Sequence, residues 1–506
     1  MKKRLSAILL LLAMSAGLFT SCAQTQENSG EDDRVPAETE VQTPTAEPEE
    51  TEPEETEPVY LDELPEDLAF DGTEVRFFSR SHIRFADEIT VEDLTGETVN
   101  DAVYERKTKV EDRLGVKIVN TLDGGANHGS TSEMMQIITA GSDEYDIFTA
   151  SMYGLAPNAI RGGFYDWYEI PNVDTTKPYY TQSYNEKSSF GGHLFTITGD
   201  ISLSLIRYSF CMYFNKQLVD NYGIENPYSW VLEGTWTHDK MKSVVGNIYT
   251  DLNGDGAYDD DDFYGLGTSD VIIVDAYTSA YDMHMMSKDE NDYPMFDINL
   301  EKWADIVTKL YQLNHETEGV RPYIEINDNN EMTDLLVSFS QDRMVFIHNW
   351  IYGSESDYLR NMESDYGIIP YPKYNEEQEN YYTFQHDQIG VFAVPITSTR
   401  LEAAGATFEA MSSESRVSVV PAYYDIALKG KYVRDEESRT MIDIIHNGHL
   451  LDPAWVYCTN IGDLAQSPRN LLRSGSSDFA SYYASKQKSY DSGLKVLIKG
   501  YEKSMK

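Results

Sequence analysis

Basic residues are scarce in this chain of 506 residues, and so are cysteines. There are 40 lysines and arginines against 85 aspartates and glutamates, a formal net charge of −45 at pH 7. Nucleic acids and anionic membrane surfaces attract clustered basic residues, so the composition argues against both as partners. The three cysteines include no Cys-x-x-Cys pair and no metal-type spacing. Cys211 and Cys458 are interpreted as buried free thiols, with a disulfide between them as the alternative.

Apolar runs of membrane-spanning length are absent as well, and the one long apolar run lies at the start. Residues 5–19 follow a basic Met-Lys-Lys-Arg stretch and are too few to span a membrane. Small residues and then Cys22 come next, an order typical of a secretory signal. With this cysteine, residues 1–22 resemble a bacterial lipoprotein signal, although Phe19 stands where leucine is usual. The resemblance implies a lipid on Cys22; an ordinary signal peptide is the alternative.

A disordered acidic linker is predicted over residues 23–69. Thirteen acidic residues and one arginine lie between Glu27 and Glu57, among threonine, proline and glutamine. Such a segment has too little apolar surface to offset the entropy lost on ordering, and its like charges extend it. We expect it to separate the lipid from the folded body.

Alternating strands and helices are predicted from residue 70 onward. Asn100 is the expected N-cap of the first helix, and Gly115 its expected end. The order strand, helix, strand, helix, strand is typical of a parallel sheet covered by helices. Ligands bind such sheets beyond the carboxyl ends of the strands, which points to the loops at residues 79–81 and 151–153. The predicted strands are 73–78, 117–122 and 145–150.

Four sequence pieces, in a fixed order, carry a resemblance to a known family. They are Tyr145-Asp-Ile with Gly163-Phe-Tyr-Asp-Trp167, Phe214-Asn-Lys216 ahead of Gly234-Thr-Trp-Thr237, Asp342-Arg-Met-Val-Phe-Ile-His-Asn-Trp350, and Tyr366-Gly-Ile-Ile-Pro-Tyr-Pro372. Together with the lipoprotein-like signal, they resemble the extracellular solute-binding proteins of bacterial ABC importers. The closest type is family 1, the sugar-binding group that includes maltose-binding protein.

The resemblance implies an α/β fold of the two-lobed, periplasmic-binding-protein type (type II). Ligand would occupy a cleft between two lobes joined by a hinge that the chain crosses more than once. The implied first lobe comprises residues 70–199 and 368–420, and the second comprises residues 200–367 and 421–506.

A calcium site is predicted from a twelve-residue stretch that matches the EF-hand loop. Oxygen-bearing side chains occupy loop positions 1, 3, 5, 9 and 12, glycine occupies position 6, and position 7 offers a backbone carbonyl. Position 12 is aspartate instead of the usual glutamate. We expect a structural Ca²⁺ site; an acidic surface loop without metal is the alternative. The expected ligands are Asp251, Asn253, Asp255, Ala257, Asp259 and Asp262.

The family resemblance, together with the strand ends, suggests where the ligand binds. Sugars are held by aromatic faces and by polar side chains that bond their hydroxyl groups. Trp350 stands where the family places a stacking tryptophan, and Met152 and Tyr153 replace its charged first-lobe residues. For each aromatic residue, core packing is the alternative. The candidate ligand-binding residues are Ser81, Met152, Tyr153, Tyr208, Asp270, Trp350, Tyr423 and Tyr424.

The resulting functional hypothesis is a lipid-anchored, monomeric protein on the outer face of the cell membrane. It would capture a carbohydrate, an oligosaccharide by preference, for the permease subunits of an ABC transporter. No catalytic motif such as Gly-x-Ser-x-Gly, His-Glu-x-x-His or a phosphate-binding loop is present, so we expect a protein that is not an enzyme. The alternatives are a surface lipoprotein that hydrolyses or cleaves glycans, and one that binds glycans without a transporter.

Overall fold

The structure is a computed structural model that describes residues 61–505, apart from residues 83, 126, 260, 270, 271 and 322–330. The predicted signal, Cys22 and most of the predicted linker lie outside the described residues. Within the described part, no helix is both long enough and apolar enough to cross a membrane.

Thirteen strands are present in the described residues. In chain order they are β1 (Thr73–Ser79), β2 (Val116–Leu122), β3 (Ile147–Ser151), β4 (Phe210–Asn215), β5 (Tyr249–Thr250), β6 (Phe263–Gly267), β7 (Met286–Lys288), β8 (Pro294–Phe296), β9 (Met344–Trp350), β10 (Tyr366–Ile369), β11 (Thr383–Phe384), β12 (Gly390–Ala393) and β13 (His449–Leu450).

Seventeen α-helices surround these strands in the described residues. They are α1 (Thr98–Leu114), α2 (Thr131–Thr139), α3 (Met152–Leu155), α4 (Gln182–Ser188), α5 (Ser204–Arg207), α6 (Lys216–Asn221), α7 (Pro227–Leu232), α8 (His238–Val245), α9 (Ile272–Ala280), α10 (Leu300–Glu316), α11 (Glu331–Ser340), α12 (Asp357–Arg360), α13 (Leu401–Glu414), α14 (Glu436–Asn447), α15 (Pro453–Val456), α16 (Ser467–Arg473) and α17 (Phe479–Ser504). Two π-helical segments, Ser415–Val419 and Ala422–Tyr432, connect α13 to α14.

Two large sheets organise the molecule. The first has the order β2-β1-β3-β12; β1 is parallel to β2 and β3, and β12 is antiparallel to β3. The second has the order β10-β4-β9-β6-β5, in which only β6 and β9 are parallel. The predicted parallel arrangement of the first three strands is therefore confirmed.

Helix α1 shows how the sequence pattern becomes structure, and where one prediction fails. Val103, Val110 and Leu114 are buried on one face, and Gly115 ends the helix with a left-handed φ of 59°, as expected. The predicted N-cap at Asn100 is wrong because the helix already begins at Thr98. The Asp101 carboxylate accepts hydrogen bonds from the N–H groups of Thr95 and Gly96, which precede the helix. The Asn100 side chain instead donates to the carbonyl of Asp93.

Within the described residues, the chain passes between the two sheets three times. The first passage lies between β3 and β4, and the second lies between β10 and β12; they meet where Ser209 bridges to Gln385. The third follows α13, which packs on α1 and β1, and leads through the π-helical segments to α14, which packs on β10. A hinge with several crossings fits this topology.

The proposed lobe boundaries can be compared with these sheets. Residues 368 and 369, assigned from the sequence to the first lobe, pair with β4 in the five-stranded sheet. The final helix, assigned to the second lobe, packs against the 3-10 segment Ala156–Arg161 as well as against α10. The detailed division of the chain into lobes stays a prediction.

Each sheet has apolar residues packed on its faces. Around the first sheet, Trp167 and Phe392 pack on Phe408 of α13, with ring centroids 4.6 and 5.1 Å apart.

Cys211 and Cys458 are both buried and free, which confirms the interpretation as thiols. Burial also raises the pKa of the Cys211 thiol, which keeps it protonated.

Candidate functional site

Aromatic side chains from distant parts of the chain meet between the two sheets. The Tyr208 ring lies 5.2 Å from the ring of Trp350, 5.3 Å from Phe85 and 5.6 Å from His386. It also stacks on Tyr352, with centroids 6.0 Å apart. These five residues are called the aromatic cluster below.

The backbone positions of the aromatic cluster explain its location. Phe85 follows β1 of the first sheet, whereas Trp350 is the last residue of β9 in the second. Tyr208 and His386 lie on the two passages that meet between the sheets, where the His386 N–H donates to the Tyr208 carbonyl at 3.4 Å. The cluster therefore contains residues from both sheets and from the hinge. Such a place is where two-lobed proteins enclose ligands.

Several polar atoms at this place are buried without a hydrogen-bond partner. They are the Tyr208 hydroxyl and Nε2 of His386 in the cluster, and Oε1 of Gln388, two residues after His386 in the chain. An unpaired buried polar atom costs about 1–3 kcal/mol, so a group of them calls for a partner that the protein itself does not provide. Burial raises the pKa of Tyr208, against the lowering effect of the nearby Arg84 guanidinium, so the hydroxyl keeps its proton. The contact with Arg84 does not reach hydrogen-bond geometry, and the hydroxyl can still donate and accept.

A polar loop from the first sheet lies beside the cluster. Ser81 donates to Asp123 from both its backbone N–H and its hydroxyl, each at 3.0 Å. Burial acts to raise the pKa of Asp123, but N–H groups from Ser81, Gly125 and Ser130 lower it overall. Ser81, a predicted site residue, is thus held in place by two hydrogen bonds to the Asp123 carboxylate.

The other predicted first-lobe residues differ from each other in exposure. Met152 is fully buried in the core, where its N–H donates to the carbonyl of Ile389. Tyr153 is partly exposed, and its ring lies 5.1 Å from that of His128. Its N–H donates to the carbonyl of Asp387, the residue after His386. Tyr153 is therefore bonded to the passage of chain that carries His386 of the aromatic cluster.

The predicted tyrosines on the last passage have different surroundings. Tyr423 is buried and donates to Glu355 at 2.6 Å, while the Arg207 guanidinium lies 5.3 Å from its ring. Arg207 precedes Tyr208, so Tyr423 borders the cluster. Tyr424 instead donates to Asp443 and lies under the Lys429 ammonium, apart from the cluster. Asp270, the remaining candidate, lies outside the described residues.

Sequence reasoning missed Phe85, Tyr352, His386 and Gln388. Phe85 lies just beyond the 79–81 loop to which the strand order pointed. No motif marked His386, because the rings that contact it, those of Tyr208, Phe210 and Trp350, are all distant from it in the sequence.

The acidic stretch forms a tight exposed turn. Asp251 accepts hydrogen bonds from the N–H groups of Gly254 and Gly256, at 2.6 and 2.9 Å. Gly256 has a φ of 73°, the left-handed turn expected of glycine at loop position 6. Asn253 and Asp255 each accept a hydrogen bond from the N–H two residues later.

Asp262, at loop position 12, differs from the other acidic residues of the loop. Its side chain is buried and accepts hydrogen bonds from the Leu252 N–H and the Tyr249 hydroxyl, at 3.2 and 2.9 Å. Its oxygens are therefore used to close the loop. In the described part of the chain, no three histidine, cysteine, aspartate or glutamate residues gather closely enough to form a metal site.

Comparisons with known proteins identify the fold. No protein family and no curated protein matches the sequence. Among solved structures, an ABC substrate-binding protein from Listeria monocytogenes in complex with cycloalternan matches 84% of this chain and 99% of its own, with 14% identity and a TM-score of 0.51.

Two further solved structures agree. A sugar transporter protein from Rhizobium etli in an open conformation matches 85% of this chain and 99% of its own, at 14% identity and a TM-score of 0.55. An ABC transporter solute-binding protein from Thermotoga lettingae bound with α-D-tagatose matches 85% and 100%, at 12% identity and a TM-score of 0.52. The chain thus has the two-lobed α/β fold of solute-binding proteins, which confirms the predicted fold class.

Proposed function

We propose that this protein is an extracellular solute-binding protein that captures a carbohydrate and delivers it to an ABC transporter. The observation that carries the proposal is the aromatic cluster between the two sheets, with its buried and unpartnered polar atoms. The fold supports it, since solved structures of the same fold include proteins in complex with cycloalternan and with tagatose.

Carbohydrate is the solute that this chemistry fits best. A sugar ring has C–H faces that pack on aromatic rings and hydroxyl groups that both donate and accept hydrogen bonds. The Trp350 and Tyr208 rings offer the first kind of contact. The Tyr208 hydroxyl, His386 Nε2 and Gln388 Oε1 offer the second. A sugar would therefore satisfy the polar atoms that the protein leaves unpaired.

The mechanism is a shift between open and closed states. Tyr208 and Trp350 are 0% and 5% exposed, so the lobes must separate before a ligand can reach them. Ligand that contacts both sides then favours the closed state, and the transporter recognises closure. No bond is made or broken by this chain. The protein acts as a monomer, held outside the cell by a lipid on Cys22 and the acidic linker.

Calorimetry tests the proposal directly. Purified protein is titrated with neutral and acidic oligosaccharides, and each mixture is analysed for products after prolonged incubation. Binding without turnover is expected. Release of a product would favour the hydrolase or lyase alternative, and absence of binding to every saccharide would refute the proposal. Ligand uptake by cells that lack this chain separates import from binding without a transporter.

We also propose that the acidic loop binds Ca²⁺ as a structural ion. Its support is the spacing of oxygen-bearing residues and the turn at Gly256. Asp251, Asn253, Asp255 and Asp259 provide side-chain oxygens, and Ala257 provides a carbonyl. Asp262 closes the loop through its hydrogen bonds to Leu252 and Tyr249, besides its predicted role as a ligand. An unchanged melting temperature after chelation would contradict the proposal.

A further inference from the structure

Arg84 is a cation placed at the aromatic cluster without a carboxylate partner. Its guanidinium lies 5.7 Å from the centre of the Trp350 ring, and the side chain is only partly buried. Arg84 belongs to the segment after β1, whereas Trp350 ends β9, so the two residues reach the site from different sheets. Among the described residues, no carboxylate forms an ion pair with Arg84.

The neighbouring arginines are different, because each has a carboxylate. Arg80 is buried against Glu88 at 3.4 Å, and its guanidinium lies over the Phe85 ring. Arg207 pairs with Asp87 at 3.2 Å and with Glu355 at 3.3 Å. These two arginines are thus paired with three carboxylates, and with Arg84 the six groups sum to zero charge. Arg84 is the arginine of the three that forms no ion pair among the described residues.

A second observation shows that the charge of Arg84 acts on a neighbouring side chain of the site. Burial lowers the pKa of His82, and the charges of Arg84 and Arg80 lower it further.

We infer that the solute is an acidic saccharide, and that Arg84 pairs with the carboxylate of a sugar unit stacked on Trp350. The inference rests on the proposed function and names its substrate class. Guanidinium matches carboxylate in a planar, two-bonded geometry, and such pairs strengthen where water is excluded. Because Arg84 and Trp350 come from opposite sides, one uronate unit would join both sides and favour closure.

The test compares acidic oligosaccharides with the neutral forms obtained by reducing their carboxyl groups. Oligomers of galacturonate, glucuronate and mannuronate are titrated into the full protein, each beside its carboxyl-reduced form. At least one acidic oligomer is expected to bind ten times or more tighter than its reduced form, with the preference falling as salt rises. Equal affinities for every pair would overturn the inference.

Variants assign the preference to Arg84. Arg84→Gln is expected to remove the preference while keeping affinity for the reduced form, and Arg84→Lys is expected to retain part of it. Arg360→Gln, at an exposed arginine on α12, is the matched control and should leave the preference unchanged. Thermal unfolding shows whether each variant is folded. A preference that persists in folded Arg84→Gln would contradict the role of Arg84.

The remaining outcomes separate the inference from the proposed function. Binding of neutral oligosaccharides alone would overturn the acidic substrate class and leave the proposed function intact. Binding of sulfated oligosaccharides but of no uronate would also overturn it, in favour of a different anion. Failure of every saccharide to bind would refute both.

Discussion

The acidic loop and the aromatic cluster are built in opposite ways. The loop takes its polar groups from residues 251–262, it is mostly exposed, and its oxygens accept hydrogen bonds from nearby N–H groups. The cluster takes its rings from residues 85–386, it is mostly buried, and some of its polar atoms have no partner. A site made from one short segment can be recognised by spacing alone, whereas a site made by folding cannot.

The two regions should also differ in how strongly mutations in them change stability and ligand affinity. Polar groups of the loop are satisfied locally and remain in water, so single changes there should cost little. The cluster removes large rings from water and leaves polar atoms unpaired, so changes there should alter stability and affinity strongly, and in different directions. Four experiments test this contrast.

The largest effect is expected for Trp350→Ala. Removing a large buried aromatic side chain leaves a cavity and costs about 3–5 kcal/mol of unfolding free energy. Urea unfolding measures that loss, and calorimetry should show no remaining saccharide binding. Leu252→Ala in the loop is the counterpart; its side chain is 55% exposed, so a change within about 0.5 kcal/mol is expected. Equal losses of unfolding free energy in the two variants would contradict the expected difference between the cluster and the loop.

A second effect, of about 3 kcal/mol, is expected from a buried carboxylate that is distant in sequence from its partners. Glu409 accepts a hydrogen bond from the Tyr180 hydroxyl at 2.6 Å and another from Tyr179. Burial raises its pKa to about 7, against the lowering effect of both hydroxyls. Since the folded state holds this proton more tightly than the unfolded state, the stabilisation is complete at low pH. It is lost as pH rises from about 4.5 to 7.

Glu409→Gln should therefore reduce the fall in stability between pH 4.5 and pH 7.5. The difference between the two proteins isolates Glu409 from other titrating groups, including Asp200, whose pKa burial raises to about 6. Asp251→Asn in the exposed loop is the matched control and should follow the parent protein. Parallel pH profiles for the parent and Glu409→Gln would contradict the role of this carboxylate.

The sequence predicted much of the fold and only part of the site. Apolar patterning placed β1, α1 and β3 because each buries one face or a whole strand. Trp350 and Tyr208 were found through the family resemblance and lie together. Phe85 and His386 were not found, since an aromatic ring in a loop looks the same in sequence whether it packs in a core or lines a cleft.

A third experiment uses the unpaired hydroxyl of Tyr208. Tyr208→Phe removes a buried hydroxyl that lies near the Arg84 guanidinium but makes no well-formed hydrogen bond in the protein, so stability should change little. Saccharide affinity should fall about tenfold, because the hydrogen bond to ligand is lost. Tyr213→Phe is the control; its hydroxyl donates to the carbonyls of Trp350 and Ile351 at 3.1 and 3.0 Å. That variant should lose about 1 kcal/mol of stability, whereas a similar loss in Tyr208→Phe would show that its hydroxyl is already satisfied.

The smallest effect is expected for the loop, and it tests whether a site recognised by spacing binds what its spacing predicts. At about tenfold excess over the dissociation constant, Ca²⁺ should add about 1.4 kcal/mol, which raises the melting temperature of a chain this long by about 1–2 °C. Asp251→Ala should abolish the shift, because position 1 is a ligand. Asp261→Asn, at a position with no ligand role, should keep it. A shift that survives Asp251→Ala would place the ion elsewhere, and no shift in the parent protein would mean that local spacing produced only a hydrogen-bonded turn.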